Sequence, residues 1–506
     1  MTNLGKSGKS GRSRAAALAV AGLTAACTVG PDYQKPDAPM QAEFKEAGDK
    51  WRQSEPSDLF DRGAWWSIYK DPVLDDLERQ VDISNQNLRE AEAAFRQARA
   101  LVEEADAQFY PTVSAAPSVT RTSTGGGSSR TGLAAAGGGR TTVTQYNASA
   151  SASWDLDLWG KIRRTVESDR ETAQATAADL ANARLSAQAT LASDYFQLRA
   201  ADQLKTLLHD TVEAFKRSLK ITQDQYEAGT AAKTDVITAL TQLQSAQAQE
   251  INTGVQRATL EHAIAVLVGK PPADLSIVPV PLAKDVPVTP AGVASRLLER
   301  RPDVAGAERR VAAANAQIGV AIAAFYPDLT LSASDAFSGT ALGSLFTAAN
   351  NIWSLGGTLT ETVFDAGARS AAVDAARAAY DEDVATYRQT VLAAFQQVED
   401  ELATLRILEQ QAAVEEETVK SAHLAVALTI NQYKAGTVAY TSVVTAQSIA
   451  LTEDENLLTI LQNRLVASVT LVQAIGGGWS ADQLPPQDHL DQTERQATTA
   501  AVEPNP

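Results

Sequence analysis

Two long stretches of the chain contain no proline and almost no glycine, and apolar residues recur at heptad spacing near the end of the first stretch and after the second. They run over 160–225 and 367–432, and as continuous helices of about 65 residues they would be on the order of 100 Å long. Alternating steps of four and three recur near the end of the first stretch and after the second: Leu208, Val212, Phe215, Leu219, Thr222 and Tyr226, then Leu458, Leu461, Leu465, Ser468, Val472 and Ile475. This spacing is typical of coiled coils. The pattern predicts helices longer than a globular core.

The period changes from 3.6 to 2 in front of each long stretch. Apolar and polar residues alternate without a break between Asn147 and Leu158, and again over 329–338 and 353–364. Strands of this kind have one face in an apolar medium and one in a polar medium. A soluble sheet packed on a core and a membrane β-barrel both fit this pattern. The serines and carboxylates that continue along the polar face favour the barrel.

The alternation predicts two β-hairpins, over 111–158 and 327–364. Trp154 and Trp353 are candidates for an aromatic girdle at the membrane interface. Glu361 falls on the apolar-facing register and weakens the last strand. Four strands cannot close a barrel, because the smallest membrane barrels have about eight and an open strand edge cannot face lipid. Several chains must therefore share one barrel.

One stretch of the sequence occurs twice. Residues 225–239 read QYEAGTAAKTDVITA and residues 432–446 read QYKAGTVAYTSVVTA, identical at ten of fifteen positions with a constant offset of 207. Each copy has the composition of a turn between helices. A glycine that can close one helix is followed five residues later by a threonine that can cap the next: Gly229 and Thr234, then Gly436 and Thr441.

This duplication predicts two structural repeats, 72–289 and 290–479. Each repeat contains a helix, a β-hairpin and a helical hairpin. The turns of the two helical hairpins are predicted at 229–234 and 436–441. The expected fold class is therefore mainly α with a small β part.

The N-terminus has the layout of a secretion signal. Four basic residues precede an apolar run from Ala15 to Ala26 that is too short to span a bilayer. We assign 1–26 as the signal peptide of a lipoprotein, because the arrangement resembles a bacterial lipoprotein signal in which the cysteine is acylated. Cys27 is the only cysteine, and it is either this acyl site, which we favour, or an incidental thiol. Thr28 is not the aspartate that retains such proteins at the inner membrane, which indicates the outer membrane.

The flanking segments have a different composition from the repeats. Residues 27–71 are rich in proline, charged residues and tryptophan without a sustained period, which predicts an extended segment lying over other elements. Residues 480–506 are polar with several prolines, which predicts a disordered tail.

Charge and chemistry exclude several classes of function. The formal charge is −17, and without the four basic residues of the N-terminus it is −17 − 4 = −21, which disfavours nucleic acid and anionic headgroups as partners. Four histidines are scattered without a carboxylate or cysteine at metal-ligand spacing: His209, His262, His423 and His489. Phosphate loops, nucleophile elbows and paired acid sites are missing from the sequence. We therefore predict a protein that is not an enzyme, with no metal and no cofactor beyond a covalent lipid on Cys27.

Several motifs together resemble one family. They are CTVGPDYQKP over 27–36, the pair Trp65 and Trp66, Asp71-Pro72, the RPDV motif over 301–304 and the FYP motif over 325–327. The chain resembles the outer-membrane efflux factors, the trimeric exit ducts of bacterial tripartite export systems, and within them the lipoprotein branch. The resemblance covers nearly the whole mature chain.

The resemblance implies a fold and a set of partners. Three chains share a twelve-stranded barrel in outer-membrane lipid, and the barrel continues into a helical coiled-coil tunnel through the periplasm. The duct is passive and gated, and it exports drugs or other small molecules. A proton-driven inner-membrane pump delivers them through a periplasmic adaptor protein.

The resemblance also implies site residues at the paired turns. Adaptor hairpins dock at the two turns, on Gly229, Thr230, Gly436 and Thr437. The aperture lies just beyond them, where many members carry two aspartates three residues apart on the second repeat; this sequence has Ser442 and Thr445. Tyr433 matches a tyrosine that latches the closed state. Asp235 is either part of the aperture or an ordinary carboxylate at a helix start.

Two other classes of function stay open at this point. A periplasmic coiled-coil lipoprotein acting as scaffold or adaptor would have no membrane strands. A secreted enzyme would need a polar constellation that the sequence does not display.

Overall fold

The computed structural model describes residues 28–39, 44–46, 64–124, 141–287, 300–487 and 490. These residues form seven α-helices and four β-strands: α1 Pro72–Ser84, α2 Gln86–Ala107, β1 Thr112–Thr124, β2 Thr141–Leu156, α3 Lys161–Glu227, α4 Lys233–Leu267, α5 Pro302–Ala323, β3 Asp328–Gly339, β4 Asn351–Thr360, α6 Ala368–Lys434 and α7 Tyr440–Ala474. Short 3-10 helices occupy Trp65–Tyr69, Pro272–Asp274, Leu342–Ser344, Ala348–Asn350 and Ala481–Gln483. The predicted fold class, mainly α with a small β part, is confirmed.

The four strands form one antiparallel sheet in the order β1-β2-β3-β4. Directly paired residues lie on the same face, so the register separates two kinds of side chain. One face is largely apolar: Val113, Ala115, Ala148, Ala150, Ala152, Trp154, Leu156, Leu329, Leu331, Ala333, Trp353, Leu355 and Leu359. The other is rich in hydroxyl groups: Thr112, Ser114, Ser151, Ser153, Thr330, Ser332, Ser334, Ser354, Thr358 and Thr360. β1 and β4 each pair with one strand of this chain, so each presents an open edge.

The last strand is shorter than the alternation predicts. β4 ends at Thr360, and Glu361 lies in the exposed loop that leads to α6. The prediction that Glu361 occupies the apolar face of the strand is therefore wrong. The strand ends one residue before Glu361, so the carboxylate of Glu361 does not face the apolar side.

The two long helices, α3 and α6, have 67 residues each and are on the order of 100 Å long. Both begin after a glycine in the left-handed conformation, Gly160 at φ 83° and Gly367 at φ 91°. α3 packs against α4, α6 packs against α7, and α3 also contacts α7. By length and composition α7 is the one described helix that passes as a membrane span, but it packs on α6 and α3. The two helical hairpins thus lie side by side as a coiled-coil bundle.

The first helical stretch is interrupted. The sequence predicts one helix from Pro72 to Phe109, whereas α1 ends at Ser84 and α2 starts at Gln86. Asn85 between them has an extended backbone, and its side-chain oxygen accepts the N–H of Leu88 at 3.0 Å. Its Nδ2 donates to the carbonyl of Leu267 at 2.8 Å. The predicted continuous helix is therefore interrupted at Asn85, which caps α2 and ties it to α4.

The main core lies midway along the molecule, where α1, α3, α5, α6 and α7 meet. Its largest fully buried side chains include Trp65, Tyr195 and Tyr387. Trp65 Nε1 donates to Gln188 at 3.3 Å, and its ring contacts Trp66 edge to face. The two tryptophans of the N-terminal segment therefore act as packing anchors.

The end of the chain is ordered over part of the predicted disordered tail. Residues 480–487 are described, and Gln174 Nε2 donates to the carbonyl of Pro485 at 3.0 Å. Leu490 is fully buried against Ala98, Val102 and Ala173. The prediction that the chain is disordered from residue 480 onward is wrong for these residues. The physical reason is that Leu490, although it lies in a polar segment, packs on an apolar surface of α2 and α3. Residues 488–489 and 491–506 lie outside the described residues.

Candidate functional site

The two helical hairpins end in turns of the same geometry. Gly229 has φ 74° and Gly436 has φ 72°, the left-handed conformation that the sequence predicts. The threonine after each glycine folds back on the helix that ends there. Thr230 Oγ1 donates to the carbonyl of Gln225 and Thr437 Oγ1 to that of Gln432, both at 3.0 Å. The same carbonyls also accept the backbone N–H groups of Thr230 and Thr437, at 2.9 and 3.0 Å, so the hydroxyls reinforce an existing helix cap.

The predicted caps of the next helices are wrong. α4 begins at Lys233 and α7 at Tyr440, so Thr234 and Thr441 lie inside the first turn rather than before it. The residues at the cap positions are alanines, and neither makes a side-chain hydrogen bond. The threonine that makes a capping hydrogen bond is the one directly after each glycine. It caps the helix that ends at the turn, not the helix that begins there.

The predicted docking residues are accessible. Gly229, Thr230, Gly436 and Thr437 are all exposed, and a Cβ built on either glycine meets no atom within 4 Å. The two turns therefore present bare backbone at one end of the bundle. Their predicted role is treated below as a proposal.

A small apolar cluster joins the two hairpins just behind these turns. Tyr433 and Tyr440 are 7% and 2% exposed, with ring centroids 5.2 Å apart. They pack with Val443 and with Ala239 of α4, and partly buried aliphatic side chains of α3 complete the cluster: Leu219 and Ile221. We call these residues the tip cluster. It connects α6 and α7 of the second hairpin to α3 and α4 of the first.

Asp235 lies beside the tip cluster. It occupies the first turn of α4 and is half-buried. Burial raises the pKa of Tyr433, and Asp235 adds to the increase while Thr222 opposes it. Burial together with Tyr433 and Asp235 raises the pKa of Tyr440 to about 12. Both tyrosines are therefore neutral near pH 7.

Ser442 and Thr445 take no part in the tip cluster. Both are exposed on the opposite side of α7 from Val443, where they line a shallow cleft of about 390 Å³ with Ala422 and Ile449. Thr445 Oγ1 donates to the carbonyl of Thr441 at 3.0 Å, within its own helix. Of the predicted aperture residues, the structure brings together Asp235 and Tyr433.

Tyr440 is the tip residue whose role sequence reasoning missed. It stands where the first repeat has Lys233, and that difference between the copies was visible in the sequence. What the sequence did not contain is the direction of the side chain. Tyr440 turns into the cluster, whereas Lys233 is exposed.

A groove separates the hairpins further from the tip. It has a volume of about 430 Å³, and its walls belong to α3, α6 and α7. Phe215 and Ile430 contribute apolar surface, and Arg217 and Lys434 contribute positive charge. At its base Gln447 Nε2 donates to Ser218 Oγ at 2.9 Å.

Two histidines make hydrogen bonds to carboxylates within the hairpins. His209 lies 3.0 Å from Glu250, and His423 lies 2.9 Å from Asp454. Each pair joins the outgoing and returning helices of one hairpin at an exposed position. Over the described parts of the chain, no group of three metal-ligating side chains occurs. We therefore interpret the two histidine–carboxylate pairs as links between helices.

The sheet meets the helices at an aromatic junction. Trp159 stacks on Tyr326 with ring centroids 4.9 Å apart, and its Nε1 donates to the carbonyl of Pro327 at 2.9 Å. The backbone N–H of Val29 donates to the carbonyl of Trp159 at 3.1 Å. The first described residues of the chain are therefore fastened to the base of the sheet. Cys27 lies outside the described residues.

Aromatic side chains mark both ends of the apolar face of the sheet. Near its base Trp154 is 37% exposed and Tyr110 is 70% exposed, and Trp154 Nε1 donates to the carbonyl of Phe109 at 2.9 Å. Towards the other end Trp353 is 68% exposed and Phe346 is 71% exposed. Exposed aromatics in two bands are typical of strands that cross a bilayer. The fold and these surfaces together define a channel subunit of an outer membrane.

Comparison with known proteins identifies the family. The profile described as outer membrane efflux protein matches residues 78–270 and 293–477, and the chain belongs to this family. TtgC of Pseudomonas putida, named as a probable efflux pump outer membrane protein, is 30% identical over 458 residues, which are 90% of this chain and 93% of TtgC. SilC of Salmonella typhimurium, named as a probable outer membrane lipoprotein, is 26% identical over 458 residues, 90% of this chain and 96% of SilC.

A solved structure has the same fold. The outer-membrane channel OprN matches with a TM-score of 0.81 and 28% identity, covering 90% of this chain and 100% of that one. The chain is therefore an outer-membrane channel of a tripartite efflux system, with its long helices extending into the periplasm. Its four strands are one third of the barrel, since three chains of four strands give twelve.

Proposed function

We propose that three copies of this chain form a passive, gated exit duct for drugs or other small molecules. One observation carries the proposal: a sheet with two open edges, apolar outside and rich in hydroxyl groups inside, continues into two helices of 67 residues. Relatives are named as toluene, solvent and antibiotic efflux pump proteins, which supports small organic compounds as cargo. The sequence has no phosphate loop, so the duct has no nucleotide-binding motif of this kind to power transport itself. The energy comes from a proton-driven inner-membrane pump.

The docking partner in this proposal is a periplasmic adaptor protein that seats helical hairpins on the tip. The exposed turns at Gly229 and Gly436 support this, because bare backbone lets another helix approach closely. The groove between α3 and α6 continues from the tip with apolar walls, and it is lined by Arg217 and Lys434 as well as by Asp454 in its pair with His423. An amphipathic helical hairpin with acidic flanks fits such a groove.

Cysteine cross-linking tests the adaptor contact. Thr230→Cys and Thr437→Cys place a thiol on each turn, and Cys27 is the only other cysteine in the chain. With cysteines along the hairpin tip of the adaptor, both variants should give a cross-linked product in cells. Thr259→Cys is the matched control, since Thr259 is also exposed but lies about 39 Å along α4 from its first residue. Equal cross-linking at Thr259 and at the turns would show that the tip is not the docking site.

The lipid anchor in this proposal is an acyl modification of Cys27. Support comes from the position of the next residues, because Thr28 packs against Gly160 at the base of the sheet. An acyl chain attached there starts at the membrane surface. Mass spectrometry of the purified protein should find a lipidated N-terminal peptide that is missing from Cys27→Ser. The Cys27→Ser protein should still require detergent because the strands remain, and solubility without detergent would refute the duct.

A further inference from the structure

The wall of the barrel lumen is largely an uncharged surface of hydroxyl groups. Ser114, Ser151, Ser334 and Ser354 form one row across all four strands. Ser114 Oγ and Ser151 Oγ are 2.9 Å apart, and Ser334 Oγ and Ser354 Oγ are 2.8 Å apart. In a trimer three copies of this row line the lumen. Such a surface is wet and has no preference for either sign of charge.

Two carboxylates interrupt this surface at its periplasmic end. Asp155 pairs with Thr330, whose Oγ1 donates to it at 2.7 Å, and Asp328 pairs with Thr360. Both therefore face the lumen. Asp335, which pairs with Ala150 and Trp353, is on the apolar face, where it accepts a hydrogen bond from Asn351 at 2.6 Å. The strand carboxylates are thus divided between the two faces.

No basic residue offsets the lumen pair within the described strands. Arg121, the only basic residue among them, is on the same face as Val119 and Val113, outside the lumen. Below the strands, Asp157 and Asp365 are each bound by an arginine, Arg163 and Arg369. Lys161 and Glu361 are both exposed there and offset each other in formal charge. The net formal charge at this level is −2 per chain and 3 × −2 = −6 per trimer.

The geometry points to Asp155 and Asp328 as the residues that set the charge selectivity of the duct. Together they form a ring of carboxylates where the barrel meets the helical tunnel. The inference rests on the trimeric duct proposed above and adds that cations and cationic small molecules are favoured in transit. The preference for cations is assigned to the barrel and not to the tip. At the tip, Ser442 and Thr445 occupy the positions where many family members have the two aspartates of the aperture.

The dimensions allow this effect to reach the whole cross-section. Twelve strands about 4.8 Å apart and tilted by about 40° close at a backbone radius of about 12 Å. The Debye length is about 10 Å at 0.1 M salt, so the axis lies roughly one screening length from the ring. Six charges at that distance concentrate monovalent cations on the axis by about threefold and deplete anions by a similar factor.

Reversal potentials in planar bilayers test the assignment. The full-length trimer is reconstituted under a KCl gradient below 0.1 M, and the ratio of potassium to chloride permeability is measured. The Asp155→Asn, Asp328→Asn double variant should lower this ratio by about ninefold, the product of the two threefold factors. Asp335→Asn is the matched control, because it removes the same charge from the other face of β3. It should leave the ratio unchanged.

Several outcomes separate this inference from its alternatives. A double variant that keeps the wild-type ratio would overturn the assignment, and so would loss of selectivity in Asp335→Asn or in Asp235→Asn alone. Salt dependence needs no variant: the wild-type ratio should approach one in 1 M KCl, where the Debye length is about 3 Å. A ratio independent of salt would also overturn the assignment. Absence of any conductance steps would refute the duct itself, whereas unselective steps would refute only the charge ring.

Discussion

Replacing Tyr440 by alanine should loosen the contact between the two helical hairpins at the tip. Tyr440 is 2% exposed and packs against Tyr433, Val443 and Ala239. Its contacts with α3 and α4 are those that cross from one hairpin to the other. We infer that the gated duct opens by separating the two hairpins at the tip, so these contacts stabilise the conformation described above.

The magnitude follows from burial of the ring. Truncating a buried aromatic side chain to alanine costs about 3–5 kcal/mol in a core. Part of that contact lies within the second hairpin and is kept when the hairpins separate. If about 2 kcal/mol acts across the hairpins, the ratio of open to closed tips rises about 30-fold in Tyr440→Ala.

Single-channel recording in planar bilayers measures this change. Tyr440→Ala should give larger or longer openings than the wild type, and Tyr440→Phe should resemble the wild type because it keeps the ring. Tyr226→Ala is the control, since Tyr226 is the first-repeat equivalent of Tyr433 but is 45% exposed. Unchanged conductance in Tyr440→Ala, or an equal increase in Tyr226→Ala, would refute the role of the tip cluster.

Two further predictions concern stability. Gly269→Ala should lower the melting temperature of the trimer by several degrees more than Gly229→Ala. Both glycines have positive φ. A Cβ at Gly269 would lie 2.1 Å from the carbonyl oxygen of Ser84, whereas a Cβ at Gly229 would meet nothing within 4 Å. Equal losses in calorimetry would contradict this. Glu78 is fully buried, both carboxylate oxygens lack a hydrogen-bond partner, and burial raises its pKa well above the ordinary range, with Asp82 and Asp75 adding to the increase. The folded state therefore holds a proton that the unfolded chain releases, and stability falls as pH rises from the unfolded pKa of about 4.3 towards the raised folded value. Glu78→Gln should raise the melting temperature at pH 8 but not at pH 4, and an equal effect at both would refute the explanation.

Much of this fold follows from local patterns in the sequence. The heptad spacing and the absence of proline predict α3 and α6, because helix formation depends on neighbours a few residues apart. The alternation around Trp154 predicts β2 and assigns its two faces. Gly229 and Gly436 predict the turns, since few other residues adopt a positive φ without strain.

The candidate site depended on the tertiary structure. The end of α1 and the ordered part of the C-terminal segment could not be predicted, because each depends on a partner far along the chain: Asn85 bonds to Leu267, and Leu490 reaches α2. The inward direction of Tyr440 was equally hidden, since its partner Ala239 lies on another helical hairpin.

The sequence by itself determined the duplicated plan, the long helices, the two-faced strands and the membership of an outer-membrane family. Periodicity and sequence similarity encode these directly. The register of the sheet decided the rest, because it puts Asp328 on the same face as Asp155 and Asp335 on the other face. Pairing between distant strands is a collective property of the packed chain, and a single segment does not contain it.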